Sequence, residues 1–305
     1  MRAYVASRLV QAAITILGIS VVVFALAHLS GDAAALLFPP EATPEQKAQL
    51  EDSLGLNDPL PVQYGIFLKG IASGDFGKSF RFGEPTLDVF LDRFPATIQL
   101  ALAAALVAFS GGILIGVLSA VKAGGIADRV ATFIALLGQA VPSFWIAILM
   151  IMLFSVQLRW LPTSGKGDLR TFIMPAVALA WYSMAALTRM TRSSMLDVMD
   201  TDYIRLARLK GLPERTVIWK HAFRNALLPI LTLFSLQLIF FVSGSVIVES
   251  IFAWPGIGQL TVQAIFSRDY PLVQTIVFVT SSVLVLLNVA VDLLYAFIDP
   301  RIRLA

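Results

Sequence analysis

Residues 203–229, YIRLARLKGLPERTVIWKHAFRNALLP, form a basic, helix-patterned segment set between two apolar runs, and their reading decides the fold. Thr201 is placed to cap a helix in which Tyr203, Leu206, Ala207 and Lys210 recur at i, i+3, i+4 and i+7 on one face, with Asp202, Arg205 and Arg208 elsewhere. Gly211 stops that helix. A second begins with Pro213 in its first turn and Glu214 near its positive end. It carries Lys220, His221 and Arg224 toward its negative end, which suits the helix dipole at both termini. Two short helices that meet at a glycine between membrane-grade runs read as a docking loop.

The rest of the chain supplies the membrane. Of 305 residues, 57% are hydrophobic and 14% charged, and the mean hydropathy of +0.80 excludes a soluble domain of the whole length. Six stretches approach or exceed the ~20 apolar residues that cross a hydrocarbon core as helix. They are residues 9–29, 96–121, 130–158, 171–187, 227–248 and 272–298. The fourth is at the lower limit. The third is over-long and is interrupted by Val141-Pro142-Ser143, which predicts a kink or break there. The fold class is therefore an all-α membrane protein with six transmembrane helices.

Basic residues set the orientation. With the N-terminus inside, 14 of the 23 lysines and arginines lie on the inner side. Five of the other nine fall in the long segment 30–95, which translocates largely regardless of charge. Both termini are read as cytoplasmic. Met1-Arg2 to Arg8 followed by an apolar run has the outline of a secretion signal, but the run exceeds the about 7–15 residues of a signal core, so it reads as an uncleaved anchor. The absence of cysteine excludes disulfides and thiolate metal sites. The net charge of +3 resides in the inner loops and needs no nucleic-acid partner.

Residues 30–95 hold 10 of the 20 acidic residues, together with Pro39, Pro40, Pro44, Pro59 and Pro61, and form a soluble outer subdomain. The chain thus divides into residues 1–29, the N-terminus and first span; 30–95, the outer subdomain; and 96–305, a core of five spans that includes the inner loop 191–228. Within the subdomain, helices are predicted from Thr43 or Pro44 to Leu54, ended by Gly55, and over residues 62–71. Ala72-x-x-x-x-Gly77-Lys78-Ser79 fits a relaxed phosphate-binding loop. Such a loop must follow a buried strand and open a helix, and this segment lies outside the cell with no parallel sheet to hold it.

No constellation for an enzyme is present. The chain has neither G-x-S-x-G nor H-E-x-x-H, and its two histidines, His28 and His221, fall at opposite membrane faces. Ionisable groups in or beside spans are functional candidates because lipid burial is costly: Glu249 at the outer end of the fifth span and Asp292 toward the inner end of the sixth. Gln139, Ser143, Gln237 and Ser243, with Ser245 and Asn288, are polar positions suited either to a water-filled path or to bridging helices. The first four join Glu249 as candidate path residues. Glu249 has an alternative role, as an interfacial carboxylate that orders the turn after it. Gly112-x-x-x-Gly116 in the second span reads as close helix packing.

The order Ala207, Gly211, then a proline opening the next span resembles the cytoplasmic coupling loop of ABC-importer permeases. The general form of that loop begins Glu-Ala-Ala; here the positions are Arg205, Leu206 and Ala207, and only the last is kept. Arg-x-Ala-Arg-x-Lys-Gly-Leu at 205–212 and His-Ala-x-Arg-Asn-Ala-Leu-x-Pro at 221–229 are instead similar to the peptide/nickel subfamily. Further matching phrases are LGLNDPLPVQY at 54–64, GDFGKS at 74–79, VPSFW at 141–145, WLP at 160–162 and ESIFAWPGIG at 249–258.

The resemblance implies a type I ABC-importer permease in a bacterial inner membrane, with both termini inside. It implies a second related permease subunit, two ATP-binding subunits, one of them docked at Tyr203, Arg205, Ala207, Arg208, Lys210, Gly211 and Leu212, and an extracytoplasmic substrate-binding protein. ATP and magnesium would be bound by the partner subunits, with no cofactor in this chain. Peptides or similar small solutes would be imported by alternating access, with nickel or metal chelates, glutathione and opine-like solutes as alternatives. A secondary transporter or channel is the rival of another class. It would carry coupling carboxylates or charge rings near the midplane, whereas this chain places its few charges near the span ends.

Overall fold

The computed structural model of the chain describes residues 2–29 and 58–298, with side chains for 5–26 and 58–293. The helix expected near residues 44–54 and the His28 side chain lie outside the described residues. The helices are α1 (Arg2–Leu29), α2 (Leu60–Ser73), α3 (Thr86–Val121), α4 (Ile126–Ala140), α5 (Ser143–Met150), α6 (Leu169–Met199), α7 (Asp202–Leu209), α8 (Glu214–Thr216), α9 (Phe223–Ser243), α10 (Ser245–Ile251), α11 (Ile257–Phe266) and α12 (Tyr270–Ile298). π-helical turns follow α5 (Ile151–Gln157) and join α8 to α9 (Val217–Ala222). Five of these stretches are long and apolar enough to cross a membrane, and α4 with α5 and its π turn match them in length and apolarity as a pair joined at a sharp bend.

The break expected at Val141-Pro142-Ser143 in the third apolar stretch is present. The break at Val141-Pro142 turns the chain through 110°, far more than a proline kink. Proline removes a backbone donor and disfavours helical geometry in the residue before it. Val141 is accordingly extended, with φ −95° and ψ 123°, and Pro142 starts a new helix instead of continuing the old one.

The described chain forms two compact units, residues 1–95 with 260–305, and residues 96–259. The last span therefore groups with the first and not with the other spans. In the first unit α1 packs on α12, and Arg8 pairs with Asp292 at 3.4 Å. Ser20 and Tyr64 share a 2.8 Å hydrogen bond, and Phe24 meets Tyr64 edge to face, so α2 is held against α1. The decoy phosphate-binding segment has a structural use. Asp269 is fully buried and caps α12 by accepting from Leu272 N at 3.3 Å. It also accepts from the Ser79 hydroxyl and, at 3.1 Å, from Arg81 N, which ties the turn at residues 77–85 to the start of the last span.

In the second unit α6 is the central helix, and small residues let its neighbours approach. A Cβ added at Gly112 would lie 2.6 Å from Leu187 Cβ, and one at Gly116 would lie 2.5 Å from Thr191 Cβ. The Gly112-x-x-x-Gly116 reading as close packing holds. Gly138 of α4 meets Ala185 in the same way, and Ala178 and Ala180 are fully buried. The inner turn between α3 and α4 is fixed by Asp128, which accepts from Ser119 Oγ (2.6 Å), Gly124 N (2.8 Å) and both Nε and Nη2 of Arg192 on α6 (2.6 and 2.9 Å). Such a two-bond fork joins three segments at one face of the unit.

The orientation has a direct check. Lys69 on α2 and Ala123 between α3 and α4 are both exposed, and native cysteine is absent. Intact cells treated with a membrane-impermeant thiol reagent are expected to label Lys69→Cys and not Ala123→Cys. Labelling of the second alone would reverse the topology.

Candidate functional site

The quoted segment folds as a helix, a stop and a long helix. Asp202 sits in the first turn of α7 and Arg208 in its last, each favourable to the dipole. Thr201 occupies the capping position, but its hydroxyl bonds back to Val198 O at 2.5 Å instead of capping. Gly211 has φ +73°. Its N–H reaches Arg208 O at 2.9 Å and the Leu212 N–H reaches Ala207 O at 3.4 Å, the paired bonds of a left-handed helix stop. Pro213 is the N-cap of the following helix, one position earlier than first-turn placement. From Glu214 the helical path runs without interruption to Ser243, so the second short helix is the beginning of the fifth span.

Burial sorts the faces of α7. Ile204 (0% exposed) and Ala207 (8%) turn inward, packing on the Val217–Ala222 turn. Tyr203, Arg205, Leu206, Arg208, Lys210, Gly211 and Leu212 are exposed, with Leu209 at 84%. Ala207 therefore seats α7 on its own chain, and the outward surface is the rest of the helix and its glycine stop. Arg208 pairs with Glu214 at 2.8 Å, Arg205 with Asp200 at 2.7 Å, and Asn225 donates to the Tyr203 hydroxyl at 2.8 Å. These bonds cross-brace α7 to α6 and to the start of the fifth span.

The candidate path residues are dispersed. Gln139 lies in the last turn of α4, beside the Val141-Pro142 break, and accepts a hydrogen bond from Nη1 of Arg189 on α6. Both line an open cavity of about 660 Å³ with Thr132, Leu136, Arg192 and Leu233. Ser143 begins α5 and is half-buried. Gln237 is half-buried on α9, one helical turn beyond Leu233, and Ser243 is exposed at the end of α9 with its hydroxyl bonded to Ile239 O at 3.1 Å. Ser143, Gln237 and Ser243 are not among the residues lining that cavity.

Glu249 is fully buried and is the hub of the outer turn. Its carboxylate accepts from Thr97 Oγ1 (2.7 Å), Gly258 N (2.7 Å) and Gln259 N (3.1 Å). Thr97 in turn accepts from Ile257 N at 2.8 Å, and Trp254, also fully buried, donates from Nε1 to Ala96 O at 2.9 Å. The ESIFAWPGIG phrase thus closes on itself and on the adjacent part of α3.

Sequence reasoning passed over Arg189, Arg192 and Asp128. The two arginines were absorbed into the inner positive charge. Their spacing of three on one helix, opposite an aspartate at the head of the preceding apolar run, was the available signal.

Residues 112–304 match the family described as the binding-protein-dependent transport system inner membrane component, and residues 1–101 match its N-terminal component. The oligopeptide transport system permease protein AppB of Bacillus subtilis (strain 168) is 41% identical over 315 residues, covering 99% of this chain and 100% of that protein. The glutathione transport system permease protein GsiC of Salmonella choleraesuis (strain SC-B67) is 39% identical, covering 98% of each chain. Among solved structures, the inward-facing MetNI methionine ABC transporter superposes with a TM-score of 0.59 at 19% identity, over 71% of this chain and 99% of that one, which supports the type I permease fold. With its apolar spans and an ordered inner loop of this kind, the chain belongs to the multi-pass inner-membrane permeases of binding-protein-dependent ABC importers.

Proposed function

We propose that the chain is one of two related permease subunits of a peptide importer, and that α7 with its Gly211 stop docks on a partner ATPase. The observation that carries this is the division of α7 into a seated face, Ile204 and Ala207, and an exposed face that ends at an open glycine. A force applied to the exposed face passes through the seated face into Val217–Ala222 and so into α9, with no loop between them to absorb it. Two ATP-binding subunits bind and hydrolyse ATP with magnesium, and an extracytoplasmic binding protein delivers the solute. ATP binding favours one of two arrangements of the permease pair. The names of the relatives point to peptides, glutathione among them, as the solute class; nickel or its chelates and opine-like solutes are the alternative.

The region around Val141–Trp145 and the Gln237–Ser243 side of α9 is the proposed path, because a broken helix and polar side chains are costly at membrane depth unless they meet water or protein. Glu249 serves this path indirectly, by fixing the outer turn. Co-purification of the chain with two ATPase subunits and uptake of labelled di- or tripeptide by the reconstituted complex test the assignment. Uptake of a nickel chelate but of no peptide would reassign the solute, and transport without ATPase subunits would refute it. Ser143→Trp and Ser243→Phe are each expected to lower uptake about tenfold while the complex still assembles. Unchanged uptake in both variants would remove these serines from the path.

A further inference from the structure

Among the described residues, Arg189 is a cation without a carboxylate partner. It stands on α6 about 15 Å before the helix ends at Met199, exposed on the wall of the open cavity of about 660 Å³. Its side-chain partner is the neutral amide oxygen of Gln139. Among the described residues no carboxylate pairs with it. The other arginine of the cavity, Arg192, is different, because both oxygens of Asp128 are committed to it. The remaining polar lining is Thr132 and Ser193, which add hydroxyls and no charge. The wall of the cavity thus carries one uncompensated guanidinium. A guanidinium forks onto a carboxylate with two charge-assisted bonds, stronger than the single bond to an amide. The volume falls within the about 300–1,000 Å³ of small-molecule sites.

We propose that Arg189 is a station for the C-terminal carboxylate of the peptide in transit, with the Gln139 amide oxygen holding the guanidinium in place until the carboxylate displaces it. This inference rests on the peptide-importer reading. Gln139 is the penultimate residue of α4, next to the 110° break, so exchange of its partner occurs where the chain already turns. The chemistry recognised is a carboxylate on a short main chain, independent of side-chain identity, which suits a permease that handles peptides of varied sequence.

The test uses the complete importer in proteoliposomes, with its binding protein saturated in turn by one tripeptide as free acid and the same tripeptide as C-terminal amide. The wild type is expected to import the acid about tenfold faster. In Arg189→Gln the ratio falls toward one, with the loss on the acid. Arg189→Lys, which keeps the charge but not the fork, gives an intermediate ratio and carries the test should the glutamine variant fail to assemble. Gln139→Ala retains the preference, because the amide only holds the place. A third peptide, amidated but bearing an aspartate, separates the sources: import at the amide's rate assigns the station to the main-chain terminus, and at the acid's rate to any carboxylate.

An unchanged ratio in both Arg189 variants overturns the station. So does a Gln139→Ala variant that behaves like Arg189→Gln, because the pair would then be a structural clamp. Equal import of acid and amide by the wild type overturns the station and leaves the peptide-importer reading standing, whereas import of neither removes that reading and the station with it.

Discussion

Gly211→Glu is expected to abolish solute uptake while the chain still inserts and pairs with its fellow permease. Two effects act at this residue, and the structure separates them. The backbone is left-handed, at φ +73°, so L side chains other than asparagine and aspartate are strained there by about 1–2 kcal/mol. A Cβ at Gly211 meets nothing within 4 Å of the chain itself, so a side chain would project into whatever docks on α7. Gly211→Asn tells the two apart, since asparagine tolerates the left-handed region yet still projects. If strain alone matters, the asparagine variant transports nearly normally. If the position is a docking contact, asparagine also impairs coupling, and glutamate impairs it more, because an uncompensated charge buried at an interface costs about 2–5 kcal/mol, well over tenfold in affinity. The measurements are ATPase co-purification and ATP hydrolysis stimulated by the loaded binding protein. Lys69→Glu, on the exposed surface of α2, is the control and leaves both unchanged. Wild-type coupling in Gly211→Glu would remove the assignment of this loop.

Legibility in the sequence followed the range of the interaction. Local chemistry was readable: Gly211 at the end of a periodic run stops a helix in the left-handed region, Pro142 breaks an over-long span, and Gly112 with Gly116 marks a close crossing. Periodicity also grouped Tyr203, Leu206, Ala207 and Lys210 on one side of α7. It states which residues share a face and not where that face points, and the buried pair turns out to be Ile204 with Ala207. The π-helical turn that continues α8 into α9 has no simple sequence signature, so the fifth span begins at Glu214, well before its apolar run. Contacts between distant residues were invisible. Ser79 finds Asp269 and Thr97 finds Glu249 across 190 and 152 positions, and nothing local distinguishes those serine and threonine residues from ordinary polar ones. Arg189 and Arg192 were hidden for a different reason. Membrane orientation already accounts for basic residues near an inner end, so only the geometry separates the one held by Asp128 from the one left facing a cavity.

Glu249→Ala is expected to be the most destabilising single change in the outer turn. The wild-type carboxylate engages the Thr97 hydroxyl and the two backbone donors of Gly258 and Gln259 at 0% exposure. Truncation leaves those donors without an acceptor in a space closed to water, and a buried unsatisfied group costs about 1–3 kcal/mol, more when the lost partner was charged. A net loss of about 3 kcal/mol corresponds to a drop of roughly 6–12 °C in melting temperature. Glu249→Gln preserves the shape, and its amide oxygen can keep the two backbone donors only by turning its NH2 toward Thr97 Oγ1, which must then accept instead of donate, so it falls between alanine and wild type. Gly256→Ala attacks the same hub sterically, since its methyl would sit 2.5 Å from the carboxylate Oε1. Ser250→Ala is the matched control: it is the next residue, exposed, and its hydroxyl bonds to Val246 O one turn back. Thermal unfolding of the detergent-purified chain, followed by fluorescence-detected size exclusion, orders the variants. The hub is refuted if Glu249→Ala melts with Ser250→Ala. A result in the expected order assigns Glu249 to holding the outer turn closed, where a carboxylate facing solute would instead change uptake without changing the melt.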